Sequence, residues 1–153
     1  MIKLSTKGRY GTRLMLNLAL RSKTDKEAVI LKDISREEEI SIRYLEQIII
    51  PLKINKLVKS IRGAGGGYIL AKPPDRIPLL EILEALEGPI SLADCLEDQD
   101  YCGRMPFCAT YEVWKGGTDV LKNYFAALTL QDLVDSSEKK RHGNKDRSRK
   151  KRS

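Results

Sequence analysis

The 153-residue sequence predicts a mainly α fold of the winged helix-turn-helix class, with a two-stranded wing and a long C-terminal dimerisation helix. Two short stretches of helical apolar spacing lie close together between residues 32 and 55. A glycine-rich hairpin follows them at once, and a longer amphipathic stretch comes after residue 108. A chain of this length suits one compact module with appendages.

The first amphipathic helix is predicted from about Thr6 to Leu20. Its apolar stripe consists of Leu14, Met15, Leu18 and Ala19, which recur at helical spacing. Lys7, Arg9 and Arg13 then fall on its early, solvent-accessible turns. The helix therefore offers positive charge beside an apolar face.

A helix-turn-helix is predicted next, with a short helix over residues 32–38 and a second helix that opens at Ser41 as its N-cap. The buried face of the second helix contains Ile42, Leu45, Ile49 and Leu52. Its outward or rim positions are Arg43, Tyr44, Glu46 and Gln47. Pro51 is expected to kink or shorten this helix, and Asn55 to end it in left-handed geometry. Such a pair of helices can read a major groove.

The hairpin is predicted from strands near residues 57–61 and 68–71, joined by a glycine-rich tip at 63–67. Arg62 lies at the tip, and Gly63 and Gly65 would let the backbone approach a phosphate or a minor groove. A nucleotide-binding loop is the competing interpretation of this glycine run. Such loops open a helix, whereas YILAKPP continues here as a strand, so the wing is favoured.

Two further helices are predicted. Pro78 opens one that ends at Gly88-Pro89 and packs on the first helix. The other runs from Ala109 to Leu128, and its apolar face contains Trp114, Leu121, Phe125 and Leu128. Gly116-Gly117 is a possible break, because glycine costs about 1 kcal/mol in a helix. This face either forms a dimer or covers the core of its own subunit, and dimerisation is favoured.

Charge is strongly polarised along the chain. Residues 1–76 carry a net charge of +8, residues 77–137 carry −8, and residues 138–153 carry +7. A basic N-terminal half suits DNA. The alternative is a pair of solvated faces, which charge alone does not exclude. The tail is expected to be disordered, and either adds nonspecific affinity for nucleic acid or only solubilises the chain. No apolar run is long enough for export or a membrane span, which predicts a cytoplasmic protein.

Three cysteines, Cys95, Cys102 and Cys108, lie in one acidic loop. Their odd number argues against a disulfide framework. Their C-x6-C-x5-C spacing allows them to converge on an iron-sulfur cluster or zinc, both of which prefer soft ligands. Because no CxxC pair is present, a metal site and three unligated thiols are equally favoured by spacing alone.

The stretches LSTKGRYG, SIRYLEQI and SIRGAGGGYIL, followed by the three cysteines, resemble in order and spacing the iron-sulfur cluster regulator family of winged-helix transcription factors. The resemblance covers nearly the whole chain except the tail, and residues 41–70 are its most specific part. It implies a homodimer that binds imperfect palindromes of double-stranded DNA. Relatives sense cluster status, iron, nitric oxide or cysteine supply.

The resemblance also implies roles for individual residues. The DNA contacts fall at Ser41, Arg43, Tyr44, Glu46, Gln47 and Arg62, with phosphate contacts at Lys7 and Arg9. Cluster ligands fall at Cys95, Cys102 and Cys108, with a [2Fe-2S] cluster favoured over [4Fe-4S]. The first cysteine gap is one residue longer here than in the family.

The fourth cluster ligand departs from the family pattern. Cluster-assembly regulators have a histidine where this chain has Tyr111, and His142 lies far away in the tail. Some nitric-oxide sensors use a carboxylate of the partner subunit, but the matching residue here is Arg9. The open candidates are Glu97, Asp98, Asp100, Glu112, water or a small thiol.

The sequence therefore predicts four regions: a DNA-binding domain (1–90), a cysteine segment (91–108), a dimerisation region (109–136) and a basic tail (137–153). The leading hypothesis is a regulator, taken as a repressor, whose cluster state sets its DNA affinity. The alternative is a cluster-free regulator controlled by a partner protein, as in the cysteine-metabolism branch of the family. An electron carrier or redox enzyme is the weak third hypothesis. No substrate pocket or acid-base constellation is evident, so the chain is predicted not to be an enzyme.

Overall fold

The computed structural model describes residues 3–24 and 28–150, with the backbone alone for residues 23, 24 and 144–150. Its helices are α1 (Thr6–Thr24), α2 (Leu31–Glu38), α3 (Ile42–Ile54), α4 (Leu79–Glu87), α5 (Ala109–Ala127) and α6 (Leu130–Lys150). Strands β1 (Val58–Ile61) and β2 (Gly67–Leu70) pair antiparallel, and short 3-10 turns cover Pro74–Arg76, Asp94–Leu96 and Met105–Phe107. The mainly α fold with a two-stranded wing is confirmed. Across the described residues, no helix has the length and apolarity needed to span a bilayer.

The core lies between α1, α2, α3, α4 and the first turns of α6. Its fully buried side chains include Leu14, Leu18, Ile34, Leu45, Leu52, Ile82, Leu130 and Val134. The predicted packing of α4 on α1 is confirmed at Gly11, where a Cβ atom would lie 2.3 Å from Cδ1 of Leu86. A side chain at this position would therefore require the Leu86 side chain to shift, so glycine allows α1 and α4 to pack closely here.

Polar contacts fix α2 against α1. The Asn17 side chain, which is almost fully buried, donates from Nδ2 to Oε2 of Glu37 at 2.9 Å. Arg13 donates to Oε2 of Glu38 at 2.8 Å and to its backbone carbonyl at 3.0 Å. Arg21 also pairs with Glu37. Buried polar groups need such partners, so these bonds set the position of the helix-turn-helix on α1.

The end of α3 differs from the prediction in two respects. Pro51 does not shorten α3, which continues to Ile54 and ends at Asn55, the residue predicted to end it. Asn55 has φ −81°, and its side-chain Nδ2 donates instead to the carbonyl of Pro51 at 2.8 Å. Lys56 has φ 57° and is the left-handed residue. The asparagine thus acts through its amide, and the reversal of the chain falls one residue later.

The C-terminal region contains two helices. α5 continues through Gly116 and Gly117 without the break that the glycines allowed, and ends at Ala127. The chain then turns: the backbone N–H of Leu79 donates to Leu128 at 2.8 Å, and that of Leu130 to Ile77 at 2.8 Å. These bonds return the chain to the core, where Leu130 and Val134 begin α6 fully buried.

Helix α6 corrects the prediction of a disordered tail, because its backbone is helical through Lys150. The composition has few apolar residues, which led to the prediction of disorder, but Lys, Arg and Glu are all good helix formers. The buried first turns supply the nucleus from which such a sequence extends. Residues 151–153 of the predicted tail lie outside the described residues.

A reciprocal capping contact begins α6. The backbone N–H and the hydroxyl of Thr129 donate to Oδ2 of Asp132 at 2.7 and 3.0 Å, and the Asp132 N–H faces the Thr129 hydroxyl at 3.4 Å. This is a capping box with aspartate in the usual place of glutamate. The bonds from Thr129 lower the pKa of Asp132 below its ordinary value of 3.8.

We expect the capping contact to make stability depend on pH. Because the folded-state pKa of Asp132 is lowered, its contribution is fully present above about pH 4 and is lost as the pH falls through the lowered value. Asp132→Asn should lower the melting temperature by a few degrees at pH 7, and the difference from the unmodified protein should vanish in acid. Melting curves recorded from pH 7 to 2 test this. A difference that is constant with pH would contradict it.

Candidate DNA-binding surface and cysteine segment

The start of α3 projects polar side chains into solvent. Ser41 is confirmed as the N-cap: its Oγ accepts a hydrogen bond from the backbone N–H of Tyr44 at 3.2 Å. Arg43, Glu46 and Gln47 are exposed, while the opposite face buries Leu45, Ile48, Ile49 and Leu52. Three of the predicted groove-reading residues are therefore free to contact a partner at the end of the helix where the positive dipole lies.

Tyr44 and α1 lie against each other. The Tyr44 ring is half-buried and meets the ring of Tyr10 edge-on, with centroids 6.0 Å apart. The guanidinium groups of Arg9 and Arg13 lie 5.9 and 5.5 Å from the centroid of Tyr10. This aromatic contact places Arg9, which is predicted to bind a DNA phosphate, beside the start of α3. Lys7 lies two residues before Arg9 on α1 and is half-buried.

The wing has a defined register, with Val58 opposite Leu70 and Ile61 opposite Gly67. Arg62 is exposed at the point where β1 ends. The next residue, Gly63, has φ 104° and accepts a bond from the Gly66 N–H at 3.0 Å. A positive φ of this size favours glycine, so the turn holds Arg62 at the tip.

The other glycines of the tip have different functions. A Cβ on Gly66 would lie 2.6 Å from the carbonyl oxygen of Ile61, and one on Gly67 would lie 2.6 Å from that of Val29. A Cβ on Gly65 would meet nothing. Gly66 and Gly67 are thus required by the wing itself, whereas Gly65, a predicted DNA contact, has no intramolecular reason to be glycine.

Sequence reasoning missed one element of the wing. Val29 pairs with Tyr68 as an isolated antiparallel bridge, with N–H to carbonyl distances of 2.9 and 2.8 Å in the two directions. The apolar run Val29, Ile30 and Leu31 was the available signal, but it is too short to be told from the start of a helix. The bridge ties the wing to the segment that precedes α2.

Substitutions at the two adjacent glycines should separate DNA contact from wing structure. Gly65→Ala is expected to leave stability within about 0.5 kcal/mol of the unmodified protein and to lower DNA affinity at least about fivefold, because a methyl group would hold the backbone off the phosphates. Gly66→Ala should cost about 1–3 kcal/mol of stability, since backbone atoms must move. Thermal unfolding and fluorescence anisotropy with a DNA duplex measure both. Unchanged affinity in Gly65→Ala would argue against close approach of the tip.

The three cysteines are free and half-buried. Cys95 lies in the 3-10 turn at Asp94–Leu96, Cys102 precedes Gly103, and Cys108 immediately precedes α5. The Sγ of Cys108 lies 3.2 Å from Oγ1 of Thr110. That hydrogen bond, followed by the backbone N–H of Tyr111, lowers the pKa of the Cys108 thiol from its ordinary value of 9.0. Cys108 is therefore biased toward the thiolate that metals and electrophiles require.

The thiols do not converge on a metal site in this arrangement. Within the described ranges 3–24 and 28–150, no three or more Cys, His, Asp or Glu side chains lie close enough to share a metal ion. The predicted fourth ligands Glu97, Asp98, Asp100 and Glu112 are therefore not gathered around the cysteines. The donor chemistry suits a cluster, but the present geometry of the segment does not hold one.

The cysteine segment is lightly anchored. Among the described residues, two hydrogen bonds that involve a side chain join it to α5: the Leu92 N–H donates to the hydroxyl of Thr118 at 3.1 Å, and the Cys108 thiol lies 3.2 Å from the hydroxyl of Thr110. Beside the bond to Thr118, Leu96 and Glu97 face α5 across an open cleft of about 380 Å³ that Tyr111 and Lys115 also line.

Helix α5 is largely uncovered. Thr118 is its single buried residue within the described chain, while Val113, Val120 and Tyr124 are each at least 60% exposed on one face. Phe107, just before the helix, is 93% exposed. Of the predicted apolar face, Phe125 and Leu128 pack against the core and Trp114 is exposed. One face of α5 is therefore available for a dimer interface, while another face covers the core of its own subunit.

Comparison with known proteins identifies transcriptional regulators as relatives of this chain. The model of the Rrf2 family, described as an iron-dependent transcriptional regulator, matches residues 4–136. The HTH-type transcriptional regulator CymR of Bacillus subtilis (strain 168) is 42% identical over 133 residues, which are 87% of this chain and 90% of CymR. The HTH-type transcriptional regulator IscR of Enterobacter sp. (strain 638) is 36% identical over 137 residues, 90% of this chain and 82% of IscR.

Solved structures agree with these relatives. The structure of CymR, the global cysteine regulator of B. subtilis, superposes with a TM-score of 0.71 at 42% identity and covers 89% of this chain and 98% of that one. The structure of IscR from T. potens gives a TM-score of 0.72 at 35% identity and covers 90% of both chains.

Proposed function

Because this chain belongs to the Rrf2 family of iron-dependent transcriptional regulators, we propose that it is a cytoplasmic homodimer that binds imperfect palindromes of double-stranded DNA. It is a transcription regulator and not an enzyme. The observation that carries the proposal is the pairing of two exposed elements on one framework: the polar start of α3 and the arginine-tipped wing. The Tyr10–Tyr44 contact and the Val29–Tyr68 bridge hold these elements.

In the proposed complex, α3 enters a major groove by its first turns. Arg43, Glu46 and Gln47 reach base edges, where arginine pairs with guanine and glutamine with adenine. Ser41 and Arg9 contact phosphates on either side of the groove, together with Lys7. Arg62 and the backbone at Gly63 and Gly65 enter the neighbouring minor groove, which favours arginine. Phosphate contacts fix the register, and the base contacts select the sequence.

The proposed dimer forms through α5. Val113, Val120 and Tyr124 recur at spacings of seven and four residues, so they form one apolar stripe along the helix. Exposed apolar surface of this kind in a regulator is typical of a subunit interface. A two-fold arrangement would place two copies of α3 on the two halves of a palindrome.

The regulatory input is proposed to act on the cysteine segment. Under the first hypothesis, Cys95, Cys102 and Cys108 would supply three thiolates to an iron-sulfur cluster, [2Fe-2S] being favoured, which would make the protein responsive to iron and redox state. The lowered pKa of the Cys108 thiol supports this hypothesis.

A cluster-free regulator is the second hypothesis, and two observations favour it. The cysteines are not gathered in the described structure, and the 42%-identical relative CymR is the global cysteine regulator of B. subtilis. The segment and the adjacent cleft would then receive a signal from a partner protein.

Anaerobic purification followed by visible absorption and iron analysis distinguishes the two hypotheses. A coloured protein with iron and sulfide, whose colour is lost in Cys102→Ser, would support the cluster. A colourless, iron-free protein that still binds a specific duplex would support the cluster-free regulator. If the protein binds no duplex with sequence preference in either state, the proposed function is wrong.

A further inference from the structure

The end of the chain has a concentration of positive charge that the proposed DNA surface does not use. Residues 138–153 hold nine Lys and Arg against two acidic residues, a net charge of +7 that equals the net charge of the whole chain. The other 137 residues are neutral in sum. Such a segment is expected to bind a polyanion. Each cation that neutralises a DNA phosphate releases counterions, and this release favours binding.

The root of α6 lies beside the base of the wing. Leu130 and Val134 are fully buried, and the Leu130 N–H donates to the carbonyl of Ile77 at 2.8 Å. Ile77 directly follows the Pro74–Arg76 turn, which contacts α6 and is separated from β2 by three residues. The helix is therefore anchored to the element that leads directly out of the wing.

The first cations of the extension are available for binding. Lys139, Lys140 and Arg141 are exposed, and no described side chain forms an ion pair with them. The 21 residues of α6 span about 30 Å at 1.5 Å per residue. The helix thus extends well beyond its buried first turns, and an arm of this length can lie along several phosphates, because duplex DNA carries one charge per about 1.7 Å of its axis.

We propose that the part of α6 from Lys139 to Lys150, termed the basic arm, binds the phosphate backbone of the same duplex that α3 and the wing contact. The arm increases affinity for duplexes of any sequence and leaves the choice of sequence to α3. Tethering makes this contact efficient, since the arm is held close to the DNA once the wing has bound. The inference rests on the proposed function, because it assumes a bound duplex.

The test uses the full chain with Lys139→Gln, Lys140→Gln and Arg141→Gln combined. Two probes are needed: the duplex that the unmodified chain selects from a random library, and a scrambled duplex of equal length. Anisotropy titrations from about 50 to 200 mM salt should show at least about fivefold weaker binding to both probes. The salt slope should fall by about 5 if both arms of the dimer contact DNA, since the substitutions remove six cations from the dimer. Circular dichroism checks that the helix content is retained.

A matched pair of variants tests whether the position of the charge matters. Lys139→Gln with Lys140→Gln removes the same charge as Arg76→Gln with Arg104→Gln, two exposed cations that lie outside α5 and α6. We expect weaker binding only from the first pair. Three results would each contradict phosphate binding by the basic arm: an equal loss of DNA affinity from both pairs, no loss from either pair, or a loss confined to the selected duplex. If the unmodified chain shows no preference for the selected duplex, the proposed function fails, while the scrambled duplex still tests the arm.

Discussion

Replacing Val120 with glutamate is expected to separate the dimer into monomers and to lower affinity for a palindromic duplex by about 100-fold or more. Val120 lies at the centre of the exposed stripe on α5 and is 68% exposed within the subunit. A carboxylate there would be buried without a partner in a two-fold interface, at a cost of several kcal/mol per ion. Because two linked half-sites bind far more tightly than one, loss of the dimer removes most of the affinity.

Sedimentation velocity and anisotropy titration measure the two effects of Val120→Glu. Ile54→Glu is the matched control for oligomeric state, since Ile54 is 73% exposed at the end of α3 and receives the same change of charge. The control should stay dimeric. The melting temperature of a Val120→Glu monomer reports whether the subunit is still folded. A dimeric, fully active Val120→Glu protein would exclude α5 as the interface.

Arg62→Ala should lower affinity for the selected duplex about 10- to 100-fold, with a smaller loss on a scrambled duplex. Arg62 is exposed, and the turn closed by the Gly66–Gly63 hydrogen bond holds it at the end of β1. In a narrow minor groove the guanidinium senses the enhanced negative potential. The loss should therefore depend on sequence, which a simple phosphate contact would not produce.

Arg76→Ala provides the control for charge in this experiment. Arg76 is exposed in the turn that follows the wing, so its removal changes net charge equally without altering the tip. Titrations at fixed salt should show a loss for Arg62→Ala well above that for Arg76→Ala. Equal losses would mean that Arg62 contributes only long-range attraction, and the assignment of the wing tip would have to be abandoned.

The helix-turn-helix and the wing could be predicted because local chemistry decides them. Ser41 caps α3 through its own hydroxyl, and the glycines at the tip meet requirements of φ and close approach within a few residues. The apolar spacing of Leu45 and Leu52 needs only the period of a helix. Each of these signals acts over one or two turns of chain.

The structural features that could not be predicted depend on contacts between residues far apart in the chain. The Val29–Tyr68 bridge joins residues 39 positions apart, and nothing in a three-residue apolar run indicates such a partner. Leu130 and Val134 belong to the core, yet they come after a predicted dimer helix and before a highly charged tail. The extent of α6 likewise depends on its buried first turns, because composition alone favoured disorder.

In the candidate site too, features set by local sequence could be predicted and features set by long-range contacts could not. Exposure of Arg43, Glu46 and Gln47 followed from their place opposite a buried face, and the structure agrees. The packing of Tyr44 against Tyr10 could not be predicted from the sequence, since it depends on how α1 crosses α3. The relative positions of the cysteines could not be predicted either, because a loop of this length has few local constraints.

A crystal structure of the dimer bound to its selected duplex tests the central claim most directly. The account predicts that Arg43, Glu46 and Gln47 lie within about 3.2 Å of base edges in a major groove, with Arg62 in the adjacent minor groove of the same half-site. A complex in which α3 faces away from the DNA, or in which the wing tip lies in solvent, would contradict it.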